Sequence, residues 1–72
     1  MSVCAVRLKF QSHGKWSDRA YTYRCHFVPE KGDKLLVPVG EWLGVGRVES
    51  VHFDYQYQPT ITYRDVIQKL DL

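Results

Sequence analysis

No stretch of this chain approaches the run of about 18 apolar residues that a membrane-spanning helix needs. The N-terminus, Met1-Ser2-Val3-Cys4-Ala5-Val6-Arg7, has no basic segment followed by a long apolar one. Neither a membrane span nor a secretory signal is expected, and the reading that follows is a cytoplasmic protein. Cysteine is scarce too: Cys4 and Cys25 are too few for a disulfide scaffold. At 72 residues there is no room for a second domain. No phosphate-binding glycine loop and no dinucleotide fingerprint occurs, so no cofactor is expected.

Catalytic and metal-binding patterns are also missing. Cys4, Cys25, His13, His26 and His52 are the only soft metal donors besides Met1, and none forms a C-x₂-C pair. Cys25 and His26 are neighbours, so on a strand they point to opposite faces. Ser12-His13 and Ser17-Asp18 fall in a polar loop that fixes no catalytic geometry. Cys25 belongs to an apolar face, where a thiol is inert. The sequence therefore predicts a chain that binds without catalysing and holds no metal.

What the chain does have is aromatic residues: five Tyr, three Phe and two Trp. These favour strands and argue against disorder. Residues 3–11 alternate, with Cys4, Val6, Leu8 and Phe10 on one side and Arg7, Lys9 and Gln11 on the other. That is the period of a half-buried strand. Residues 12–19 are polar, contain Gly14 and read as a loop. Residues 20–27 alternate again, with Tyr21, Tyr23, Cys25 and Phe27 inward and Thr22, Arg24 and His26 outward. An antiparallel hairpin is the default for two such strands. If Phe10 faces Tyr21, Cys4 and Cys25 are diagonal, a poor geometry for a bridge, and free thiols are expected.

A turn follows at Val28 to Asp33, marked by Pro29 and Gly32, and then a short strand, Lys34 to Val39. Pro38 belongs at an edge or near the end of that strand. Gly40 to Gly44 reads as a loop carrying Trp42, and Val45 to Phe53 as the next strand. Its apolar spacing is not strictly two, which predicts a bulge or bend near Glu49-Ser50. In the tail, Val66, Ile67 and Leu70 fit a short helical turn, whereas Val66, Gln68 and Leu70 fit a closing strand. Ile61, Thr62, Tyr63 and Val66 favour the strand.

The stretch Lys31-Gly32-Asp33-Lys34-Leu35-Leu36-Val37-Pro38-Val39, with Gly44-Val45-Gly46-Arg47-Val48-Glu49-Ser50-Val51, resembles the core of SH3-like barrels, including KOW-type modules. Over most of the chain, Tyr21-Thr22-Tyr23-Arg24-Cys25, Lys31-Gly32-Asp33, the Val-Pro strand, Tyr63 and Gln68-Lys69-Leu70-Asp71 are similar to small phage-encoded proteins of unknown function. The resemblance implies an all-β, five-stranded SH3-like barrel acting in a bacterial cytoplasm. It supplies no activity to carry over. Asp65 departs from the aromatic residue expected in the last strand.

Charge is lopsided. Residues 1–36 carry seven cations and three acids, and residues 37–72 carry three cations and five acids. Such asymmetry steers partners. Two surfaces are expected from this. Trp42, with Tyr55 and Tyr57, suits an unidentified protein partner, since Trp is enriched in binding hot spots; the alternatives are a Trp that caps one end of the barrel and half-buried tyrosines. Arg7, Lys9, Lys15, Trp16, Arg19 and Arg24 suit a nucleic acid, through phosphate contacts and stacking; the alternative is a solvated strand face that guards against aggregation. Edges around Pro38 and over residues 53–58 leave room for a homodimer.

Overall fold

The computed structural model describes residues 3–12 and 14–71. It is all-β, with no helix among these residues: β1 Cys4–Ser12, β2 Lys15–Trp16, β3 Tyr21–Cys25, β4 Lys34–Val39, β5 Trp42–His52 and β6 Gln68–Leu70. Six strands thus replace the five expected. The extra one is β2, which folds back on the end of β1 (Gln11 opposite Trp16, Ser12 opposite Lys15). Gly14, at φ 78°, supplies the left-handed residue that so tight a turn needs. The first part of the stretch read as a loop is therefore a miniature hairpin, and residues 17–19 carry no strand, as expected. His13 lies outside the described residues.

All pairings between these strands are antiparallel, in the order β2-β1-β5-β4-β6, with β3 also on β1; a single isolated bridge, Arg24 to Asp65, is parallel. The expected hairpin of β1 and β3 is present, but its register is shifted by two. Leu8, not Phe10, faces Tyr21, and Cys4 faces Cys25 directly. Because β2 occupies the end of β1, β3 must pair lower down. The expectation of diagonal cysteines is thereby corrected. Both thiols are free and buried, and the Cys4 thiol donates to the Phe27 carbonyl at 3.2 Å. Burial pushes both above the ordinary thiol range. Native protein at pH 7.5 is expected to resist thiol-labelling reagents until it unfolds. Full labelling within minutes under native conditions would show that this end of the sheet opens.

The turn at residues 28–33 forms as expected. Gly32 has φ 94°, and the Asp33 carboxylate and backbone N–H close it on Glu30. The predicted irregularity in β5 is a bulge at Glu49: Arg7 faces Ser50 while Leu8 faces Val48, so Glu49 is the extra residue. The loop expected at residues 40–44 shrinks to two residues. Val39 faces Trp42 across Gly40-Glu41, and β5 begins at Trp42. Gly40 has φ 58° and Glu41 does not, which fits a hairpin turn with glycine first.

The tail is a strand only over Gln68–Leu70, against β4. Ahead of it, residues 64–66 lie along β3. Arg24 N–H donates to the Arg64 carbonyl at 2.9 Å, and Val66 N–H to the Arg24 carbonyl at 2.8 Å. The side chains repeat the tie, with Arg24 Nε 3.0 Å from Asp65 Oδ1 and Nη2 3.2 Å from Oδ2. Asp65, where the resemblance leads one to expect an aromatic residue, instead pairs with a cation on β3.

The core comprises Cys4, Val6, Leu8, Tyr23, Cys25, Leu35, Val37, Val48 and Val66, with Phe10, Phe27 and Val51 packed against it. Tyr21, expected inside, is 46% exposed. Ala5 points away from this core by alternation yet is fully buried. Its cross-strand neighbours are Arg24 and His52. Beside them lies a second cluster of edge-to-face rings, His52, Tyr55, Tyr57 and Tyr63, with centroids 4.9–6.2 Å apart. No helix among the described residues is long and apolar enough to cross a membrane.

Candidate functional site

Two strand edges leave a gap. β3 pairs with β1 on one side, and on the other only Arg24 is engaged. Strand backbones alternate, so Thr22, two residues earlier, turns its N–H and C=O the same way as Arg24. Facing it is the end of β4 beyond the reach of β6, which covers only Lys34 to Leu36. The gap is a groove of about 470 Å³, lined by Arg19, Thr22, Val39, Tyr55, Tyr63 and Arg64 among others. A second hollow of about 540 Å³, lined by Phe10, Lys15 and Trp16, adjoins it through Tyr21, Tyr23 and Val39.

The two walls differ in chemistry. The Leu36 carbonyl accepts from Ile67 N–H, so Pro38, by alternation, turns the same way, into the groove, which Gly40 of the following turn also lines. Their carbonyls are already taken: Tyr23 Oη donates to Pro38 O at 2.8 Å, and the Arg64 guanidinium donates to Gly40 O. Pro38 has no N–H to offer. The β4 wall is blunted in the way natural edges often are. This corrects the expectation that the edge around Pro38 is open for pairing. Residues 53–58 are no edge either: Phe53 and Asp54 turn the chain out of β5, with Asp54 at φ 57°, and 55–58 carry no strand. The β3 wall keeps its backbone groups at Thr22.

The residues singled out from the sequence fall in several places. Trp42 is 79% exposed on the β4–β5 hairpin, so it caps nothing. It is opposite Val39, hence on the same face and next to the groove. Tyr55 lines the groove, and Tyr57 stands behind it in the ring cluster. The six basic-face residues do not form one surface. Arg19 lies over Tyr21, 5.8 Å from its ring, in the groove. Arg24 is committed to Asp65 and to the Tyr63 carbonyl. Trp16 carries Arg47 on its ring at 4.1 Å. Arg7 and Lys9 face outward from β1, and Lys15 lies at the β2 turn.

Sequence reading missed Arg47, Tyr63 and Arg64. The signal for Arg47 was its place two residues before the bulge; for Tyr63 and Arg64 there was none. Among the described residues no three His, Cys, Asp or Glu side chains gather in a metal-sized group. Comparison with protein-family models, curated proteins and solved structures finds no match for this chain.

Proposed function

We propose that the chain is a non-enzymatic binding module, a small SH3-like barrel open along one side, whose ligand is an extended segment of a partner protein seated in the groove. The barrel reading draws on the hydrogen bonds between Arg24 and residues 64 and 66, which join the β3 edge to the segment leading into β6. The ligand reading rests on one observation above the rest: Thr22 offers an unblocked strand edge in a groove it shares with exposed Tyr21 and with Val39, the cross-strand neighbour of exposed Trp42. Strand addition draws affinity from main-chain hydrogen bonds, and flanking pockets give specificity. The resemblance to phage proteins points to a host protein as the partner.

The test separates backbone from side chain. A random-peptide display library is panned on the wild-type chain, and the enriched peptides are then titrated. Thr22→Pro removes one N–H at an edge position that tolerates proline. Thr22→Val keeps that N–H. The first is expected to weaken binding about tenfold or more, the value of roughly one well-formed hydrogen bond left unmade. The second leaves it nearly unchanged, and Trp42→Ala weakens it. Equal affinity for Thr22→Pro and wild type, or a panning that enriches nothing, overturns the reading.

A further inference from the structure

The outer face of β1, β5 and β4 carries an arrangement that folding alone disfavours. Lys9 faces Arg47 across β1 and β5, and Arg47 faces Lys34 across β5 and β4. Three cations therefore stand in line on adjacent strands. Like charges directly opposite each other destabilise a sheet. Arg7, two residues before Lys9, extends the row along β1.

Two features hold the row in place and relieve it only in part. Trp16 lies under the Arg47 guanidinium at 4.1 Å, so this side chain is fixed against an aromatic face. The acid at the centre of the row is Glu49, the bulge residue, whose carboxylate accepts from Arg47 at 2.9 Å, while Asp33 and Asp71 line a hollow with Lys34 at the row's end. The hydrogen bond from Arg47 holds this carboxyl below its usual range, with the charges of Arg47, Lys9 and Lys31 adding to the effect. Asp33 is engaged with Lys69 at 3.5 Å. One carboxylate thus sits where several cations converge, and more cations face it than it neutralises.

We propose that this face binds the phosphodiester backbone of a nucleic acid, and that Glu49 is a built-in stand-in which a phosphate displaces. Adjacent strands put one cation about every 4.8 Å across the sheet. A nucleic-acid strand offers one phosphate per roughly 3.4 Å of helix rise, a comparable linear density. The one aromatic ring here, Trp16, has a face covered by Arg47, so binding is to phosphates and independent of sequence. This site lies apart from the groove and does not depend on the peptide reading.

The experiment is a fluorescence-anisotropy titration with labelled single-stranded and duplex DNA of mixed sequence, from about 20 to 200 mM salt. Four cations predict a slope of log affinity against log salt of about −3 for single strands and nearer −4 for duplex. The double variant Lys9→Gln/Lys34→Gln is expected to reduce the slope by about 1.4 on single strands. It should also melt no lower than wild type, because it removes like-charge opposition. Glu49→Gln is expected to tighten binding several-fold. Arg19→Gln, in the groove, should change little. Absence of salt-dependent binding at the lowest salt overturns the proposal. So does a loss that follows Arg19→Gln, or weaker binding by Glu49→Gln.

Discussion

Replacing Leu8 by alanine is expected to lower the melting temperature by at least about 10 °C. Leu8 is fully buried and stands among the largest side chains of the core. It also fills space that glycine leaves across the sheet. A methyl placed on Gly46 would come within 3.0 Å of Leu8 Cβ and 3.1 Å of its Cδ1. Deleting a leucine in such a site costs about 2–5 kcal/mol, lost transfer energy plus the cavity left behind. A domain of this size has only about 4–11 kcal/mol in total. Leu8→Met, which keeps the volume, should cost less than about 1.5 kcal/mol. The check is thermal unfolding by circular dichroism. Equal melting for Leu8→Ala and wild type would place Leu8 outside the core.

Arg24→Ala is expected to release the segment from Tyr63 to Leu70 without unfolding the rest. The Arg24 side chain meets both oxygens of Asp65 and the Tyr63 carbonyl. Side-chain exposure of 42% for Arg24 and 65% for Asp65 weakens the ion pair, since water screens it. The charge-assisted hydrogen bond to a backbone carbonyl is less affected. Together they amount to about 1–2 kcal/mol. Hydrogen exchange should read this locally, with faster exchange at the Arg24, Val66 and Ile67 amides and little change in the β1–β5 ladder. Arg24→Lys should fall between the two, because an ammonium cannot bridge both carboxylate oxygens in the same plane. Unchanged exchange at Val66 would mean the backbone alone holds the segment.

Strands with a clean period of two were legible from sequence, because burial on one face writes itself into alternation. Cys4, Val6 and Leu8 show this on β1, and Tyr23 and Cys25 on β3. The bulge at Glu49 was legible for the same reason, as a break in that period. Register was harder. The pairing of Leu8 with Tyr21 depends on β2 taking up the end of β1, and a two-residue strand leaves almost no trace in composition. The cation row depends on that kind of knowledge twice over, since Lys9, Arg47 and Lys34 meet only through the registers of two ladders. Arg24 looked like a free basic residue because its partner, Asp65, is distant in the chain. Trp42 is exposed, and the loop expected around it is the start of a strand.

The β1–β5 ladder joins Ala5 to His52 and Phe10 to Gly46, so the central pairing is between segments far apart in the sequence. The hairpins β1–β3 and β4–β5 are local and form on the microsecond scale. Their docking must wait for a long loop to close, and the chain belongs with the slow, non-local β folders of milliseconds to seconds. During that wait the β1 edge meant for β5, bearing Ala5, Val6 and Leu8, lies bare. Arg7 and Lys9 are interleaved along that same edge, and their mutual repulsion between chains guards it from pairing with another copy before β5 arrives.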